Sequence, residues 1–140
     1  MRKISKIILH CAATPEGRDV STETIRQWHL DRGWSDIGYH YVIELDGSIN
    51  PGRPVERIGA HVRNFNRNSI GICYVGGLSS NMSPKDTRNE SQLESLELLI
   101  EKLMIEYPES TLHGHNEFSS KACPSFDVQK EYKYIIDCYA

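Results

Sequence analysis

The chain has 140 residues, a mass of 16.0 kDa and a formal net charge of −3 at pH 7. This length fits one domain that buries roughly two-thirds of its unfolded surface without disulfide staples, so we assign residues 1–140 to a single domain. The sequence pI near 6.1 argues against a general nucleic-acid binder, which usually carries a clustered basic excess. No apolar run approaches the ~20 residues of a spanning helix, so we expect no membrane insertion.

The N-terminal segment lacks the uninterrupted apolar core of a signal peptide, because Ser5, Lys6 and His10 interrupt it. The four cysteines show no C-x-x-C spacing, which favours reduced thiols. We therefore expect a protein that is cytoplasmic on synthesis. If its substrate lies outside the membrane, another factor must release it.

The first half of the chain predicts strands and a helix in alternation. An apolar run predicts a strand over 6–11, and Ser21 is placed to cap a helix over 22–32. Residues 38–45 alternate with period two and predict a second strand, which Asp46-Gly47 turns into a hairpin.

The second half continues the alternation. Residues 51–68 predict a long irregular surface segment, and 69–75 predict a central strand because both of its faces are apolar. Ser91, with Glu94 three residues later, fits a capping box at the start of a second helix, and Pro108 ends that helix.

Two short elements complete the chain. Residues 111–113 predict a strand, and 128–139 predict a closing helix. Strands that alternate with helices favour an α/β fold in which a central mixed β-sheet is flanked by helices.

The stretch 113–127 concentrates groups that bind divalent metals. His115 and Cys123 lie eight residues apart, and neutral imidazole with thiolate suits Zn²⁺. That spacing is too long for one helical face, so the loop between them must fold back. A hydrolytic zinc site needs three protein ligands and one open position. His10 is the candidate for the third ligand, because it lies near the end of the first strand.

Five motifs follow one another along most of the chain. They are ILHCAAT (8–14), IRQWH (25–29), GWSDIGYH (33–40), NSIGICYVGG (68–77) and KACPSFD (121–127). Together they resemble the zinc-dependent N-acetylmuramoyl-L-alanine amidase family. Within it, the chain is most similar to phage lysozyme-type endolysins, which share a fold with peptidoglycan recognition proteins.

The resemblance implies a reaction and a set of site residues. The reaction is hydrolysis of the amide bond between N-acetylmuramic acid and the L-alanine of the peptidoglycan stem peptide. The resemblance also implies one Zn²⁺ per chain, with ligands that correspond to His10, His115 and Cys123, and catalytic residues that correspond to Tyr39 and Lys121. We expect a monomer whose partner is bacterial peptidoglycan.

Three further side chains are expected to contact the substrate. His61 lies before the central strand and resembles a position that lines the family's cleft. Asn64 and Asn68 are placed to hydrogen-bond sugar or peptide groups. His113 stays an alternative to His115 as the metal ligand.

Two other functions fit the same motifs. One is a non-catalytic peptidoglycan-binding module of the same fold, although such relatives typically replace the cysteine ligand that corresponds to Cys123. The other is a structural zinc domain, in which His61 or His113 fills the fourth position and leaves none for water.

Overall fold

The computed structural model describes residues 2–140. The strands are β1 (Lys6–Cys11), β2 (Thr14–Pro15), β3 (Tyr41–Ile43), β4 (Ile49–Pro51), β5 (Ser69–Tyr74), β6 (Gly77–Leu78) and β7 (Thr111–Gly114). The α-helices are α1 (Thr22–Asp31), α2 (Glu90–Glu106), α3 (Val128–Glu131) and α4 (Lys133–Tyr139), and a 3₁₀ turn covers His115–Glu117. Within residues 2–140, no helix is both long enough and apolar enough to cross a bilayer.

Five strands form one mixed sheet in the order β4-β3-β5-β1-β7, while β2 and β6 pair separately. β1 runs parallel to both of its neighbours, β5 and β7, and β4 is antiparallel to β3. The predicted α/β fold with a central mixed sheet and flanking helices is confirmed. Because parallel strands end at the same edge of a sheet, the residues that follow β1, β5 and β7 meet there, where open α/β sheets usually bind ligands.

Side chains alternate across the sheet along β1. Ile7 and Leu9 are buried in the apolar layer that includes α2 and α4. Ile8 and His10 therefore face the opposite side, where Ile25 of α1 packs into a second apolar cluster. Fully burying one such aliphatic side chain contributes about 1.5–3 kcal/mol, so the two layers fix the strand and direct His10 to the α1 side.

The first helix begins as predicted. The side chain of Ser21 accepts a hydrogen bond from the backbone N–H of Thr24 at 3.1 Å. This bond satisfies one of the donors that a helix start leaves unpaired. The predicted position of the α1 cap is therefore confirmed.

The N-cap of the second helix, Asn89, lies two residues before the predicted cap, Ser91. The side chain of Asn89 accepts from the N–H of Gln92 at 2.8 Å, and the side chain of Gln92 accepts from the N–H of Asn89 at 3.1 Å. The prediction of a capping box at Ser91 and Glu94 is wrong. The two sequence patterns are equivalent locally, but Asn89 also donates to the carbonyl of Leu45 at 2.8 Å, which ties this helix start to the hairpin.

Two other predicted boundaries change, and one short strand forms in a segment for which no element is predicted. The second strand covers only Tyr41–Ile43, although His40 still donates its N–H to Gly71 O at 2.9 Å. The loop after β1 contains the short strand β2, which pairs with β6. The closing helix is divided at Tyr132, whose buried side chain accepts a hydrogen bond from the guanidinium of Arg88 at 2.7 Å.

Candidate metal centre

Two neighbouring strands deliver the first two donors. Leu9 of β1 pairs with Gly114 of β7 in parallel register, so His10 and His115 are the next residues on each side. Their ring centroids are 4.7 Å apart. The strand register therefore determines the spacing of this pair.

The third donor comes from the loop after the 3₁₀ turn, which folds back over the end of β1. The backbone N–H of Cys11 donates to Cys123 Sγ at 3.2 Å. The buried hydroxyl of Tyr74 donates to the carbonyl of Pro124 at 2.7 Å, just behind the cysteine. These two bonds hold the loop against β1 and β5.

The donor atoms of His10, His115 and Cys123 all lie within 4.8 Å of one another. Cys123 Sγ is 3.8 Å from His10 Nδ1. Tetrahedral Zn²⁺, with bonds of about 2.0–2.3 Å, places neighbouring ligand atoms about 3.3–3.6 Å apart. The three residues therefore fit a divalent metal such as Zn²⁺ after a small inward movement, and this set leaves one tetrahedral position for another ligand.

Burial keeps the two imidazoles in the neutral form that binds metals. Desolvation lowers the pKa of His10 well below its usual value, and the neighbouring histidines lower it further. Desolvation also lowers the pKa of His115, and the positive charge of Lys121 adds to this effect. Interaction with the side chain of Cys11 and burial raise the pKa of the Cys123 thiol, although the backbone N–H of Cys11 lowers it. A bound cation would favour the thiolate form of this ligand.

The structure brings Tyr39 and Lys121 to the same pocket as the three donors, a cavity of about 260 Å³. The ring centroid of Tyr39 is 5.2 Å from that of His10. Burial raises the pKa of Tyr39 well above its usual value, so its hydroxyl keeps its proton and can donate it in a hydrogen bond. The side chain of Lys121 is exposed at the rim.

The pocket opens into a larger groove of about 620 Å³, and both are lined by Trp34, His61, His115 and Lys121. Asn64 lines this groove, as its expected role requires.

Asn68 lies elsewhere. Its side chain donates to the carbonyl of Lys3 at 2.9 Å, and it lines a smaller depression that shares Asn64 and Phe65 with the groove. Asn68 does not line the groove or the pocket of the three donors, and its contact with a substrate stays a prediction.

His61 lines the pocket, but its ring is hydrogen-bonded on both sides. Its Nδ1 lies 2.9 Å from His10 Nε2, and its Nε2 lies 3.1 Å from Ser69 Oγ. Desolvation lowers the pKa of His61 well below the usual value, and the neighbouring His40 lowers it further. A ring with both nitrogens engaged does not act as a fourth metal ligand.

His113 is also engaged on both sides, away from the donor cluster. Its Nδ1 lies 2.8 Å from Glu117 Oε1, and its Nε2 lies 2.6 Å from Thr111 Oγ1. The structure thus brings His115, not His113, to His10 and Cys123.

Two supporting residues escaped the sequence analysis. The buried guanidinium of Arg53 donates to the carbonyls of Asp36, Ile37 and Ile58, which links the segment before Tyr39 to the segment before His61. From sequence, Arg53 is indistinguishable from a solvated loop arginine, since its three partners are backbone atoms.

The other residue is His29, which ends the IRQWH motif and lies on the inner face of the first helix. Its Nδ1 accepts the N–H of Gly38 at 2.8 Å, next to Tyr39. Burial lowers the pKa of His29 to about 4, so the ring stays neutral and keeps this acceptor available.

Comparison with known proteins identifies the family of this chain. Residues 1–126 match the N-acetylmuramoyl-L-alanine amidase family. The chain belongs to this family. The amidase is 38% identical to the endolysin of Klebsiella phage KP32, over 92% of its own length and 85% of the relative's.

Solved structures agree with this assignment. The amidase superimposes with a TM-score of 0.82 on the N-acetylmuramoyl-L-alanine amidase LysC from Clostridium intestinale, at 27% identity, covering 96% of this chain and 86% of LysC. It also superimposes with a TM-score of 0.78 on a mutant of Drosophila PGRP-LB in complex with tracheal cytotoxin, at 25% identity, covering 95% and 81% of the two chains. The predicted family and fold are confirmed, and the protein is an amide hydrolase of the bacterial cell wall.

Proposed function

We propose that the amidase cleaves the bond between N-acetylmuramic acid and the L-alanine of the stem peptide, and that it acts as an endolysin. In this proposal one Zn²⁺ per chain is held by His10, His115 and Cys123. The observation that carries it is the convergence of these three donors within 4.8 Å at the inner end of a groove. The family match and the endolysin relative support the same bond and the same setting.

Zn²⁺ in such a donor set would supply Lewis acidity and would lower the pKa of a water ligand to about 7. The residues around it have complementary tasks. Tyr39, with its raised pKa, donates a hydrogen bond to an oxygen that gains negative charge during attack on the amide. Lys121, at the rim of the pocket, brings a positive charge to the same oxygen, and loss of one such donor typically lowers the rate ~10²–10³-fold.

A glycan strand that carries peptides needs an open groove beside the reacting bond. The groove of about 620 Å³ meets this need, and it is bordered by Phe65 and Phe118, whose ring centroids are 4.5 Å apart. In our proposal Asn64 hydrogen-bonds the substrate from the groove wall. His61 belongs to the wall, since both of its nitrogens are already engaged.

The alternative of a binding module without hydrolysis is less well supported. A module that only binds does not need a thiolate beside two neutral imidazoles, whereas Cys123 is held at that position by the backbone N–H of Cys11. The chemistry of the donor set therefore favours hydrolysis.

Product analysis tests the proposed bond. Purified bacterial sacculi treated with the amidase should release stem peptides that carry new L-alanine amino termini, and no new reducing sugar ends. Protein stripped of metal by a chelator is the matched control and should release neither. New reducing ends would instead identify a glycosidase, and they would overturn the proposal.

A further inference from the structure

The buried ring of His61 contacts His10 edge to face. The two ring planes meet at 88°, with centroids 4.9 Å apart. His61 Nδ1 lies 2.9 Å from His10 Nε2, and His61 Nε2 lies 3.1 Å from Ser69 Oγ. The three side chains thus form a continuous line that ends at the proposed metal ligand.

The position of His10 Nδ1 decides which atom donates in each of these hydrogen bonds. His10 Nδ1 lies 3.8 Å from Cys123 Sγ and so faces the sulfur donor. A ligating nitrogen must present a bare lone pair, so the proton of a neutral His10 sits on Nε2. We assign the tautomers from this network: His10 Nε2 donates to His61 Nδ1, and His61 Nε2 donates to Ser69 Oγ.

We propose that His61 is a positioning residue that holds His10 in its metal-binding tautomer and orientation. The inference rests on the proposed function, because it requires a metal at His10. Ligating histidines usually donate their second N–H to a carboxylate, a backbone carbonyl or water. Here the acceptor is a neutral imidazole, which orients His10 without adding a second negative charge beside the thiolate of Cys123.

The surroundings of His61 hold its ring in place before any metal arrives. The backbone N–H groups of His61 and Val62 donate to Asn66 Oδ1 at 2.8 and 2.9 Å. The ring lies over Gly71, where an added Cβ would come within 2.6 Å of His61 Cγ. The acceptor for His10 is therefore built into the fold.

Two amide variants separate the two hydrogen bonds of His61. In His61→Asn the short side chain places its carbonyl oxygen near the position of Nδ1, so an acceptor for His10 is kept. In His61→Gln the amide reaches towards Ser69, and the N–H of His10 loses its acceptor. We expect His61→Gln to weaken zinc binding ~10–100-fold, the usual effect of removing such a partner, and His61→Asn to recover most of that loss.

Zinc affinity is measured at one pH by competition with a chromophoric chelator, and thermal melting of the metal-free variants checks that they fold. Independently of any variant, long-range ¹H–¹⁵N NMR of the metal-free wild type should show the His10 proton on Nε2.

The inference is overturned if His61→Gln binds zinc as tightly as the wild type, if both variants lose affinity equally, or if the His10 proton sits on Nδ1. A wild type that binds no zinc removes the proposed metal site together with this inference. A wild type that binds zinc, with variants that bind it equally well, removes the inference alone.

Discussion

The two halves of the metal centre are built in different ways. His10 and His115 come from the ends of adjacent parallel strands, and the pairing of Leu9 with Gly114 fixes their spacing. Cys123 comes from a loop and is held there by contacts with β1 and β5, including the bond from Tyr74 to Pro124.

The positions of the two histidines are thus set by the sheet, whereas the position of the cysteine is set by individual hydrogen bonds. A ligand at a strand end moves only if the sheet register moves, and register is strongly specified where strands are buried. A ligand on a loop depends on a few hydrogen bonds, each worth about 0.5–1.5 kcal/mol. The loop half should therefore be the half that single substitutions can disturb without unfolding the protein.

Replacing the loop ligand should have the largest effect. Cys123→Ser removes the thiolate, so zinc affinity should fall by more than ~100-fold, beyond the range for residues that only support ligands, and amide hydrolysis should fall to background. Chelator competition and release of stem peptides from sacculi measure the two effects.

Cys138→Ser is the matched control, because Cys138 is an exposed free cysteine in α4. It should keep both zinc affinity and activity. Full activity in Cys123→Ser would show that the loop half supplies no ligand.

The next effect should appear in the rate and not in metal binding. Lys121→Met removes the ammonium at the rim of the pocket, and kcat should fall ~10²–10³-fold while zinc affinity is retained. Lys130→Met, at another exposed lysine, should leave kcat unchanged. Equal losses in the two variants would mean that general surface charge, not the position of Lys121, matters.

Features of the fold and of the site could be predicted from sequence where the interacting residues are close together along the chain. His10 could be proposed because the apolar run before it marks a buried strand. Cys123 was a candidate from its donor chemistry, and the family resemblance selected it among the four cysteines. The start of α2 could not be placed, since the bond that distinguishes Asn89 from Ser91 reaches the carbonyl of Leu45 in a different element.

The tasks of loop residues were the hardest to predict. His61 was expected at the cleft, but its partner His10 lies 51 residues away. Asn68 was expected on the substrate, yet its amide ties the start of β5 to Lys3. A polar loop residue looks the same in sequence whether it contacts solvent, substrate or a distant carbonyl.

The smallest effect should come from the bond behind the loop ligand. Tyr74→Phe leaves the buried carbonyl of Pro124 without its donor, so the free energy of unfolding should fall by about 1–3 kcal/mol, measured by urea denaturation. Tyr134→Phe removes an exposed hydroxyl that contacts Glu97 and should change it by less than about 0.5 kcal/mol. Equal changes in the free energy of unfolding would mean that the hydrogen bond from Tyr74 to Pro124 does not stabilise the loop half.

The strand half and the loop half together should hold one metal ion. Anomalous X-ray diffraction from crystals of the zinc-loaded amidase, recorded at the zinc absorption edge, locates that ion. We expect one strong peak per chain, about 2.0–2.3 Å from His10 Nδ1, a ring nitrogen of His115 and Cys123 Sγ, with no fourth protein ligand. A peak at another place, or a fourth protein atom bound to the metal, would rule out a three-ligand site with an open position.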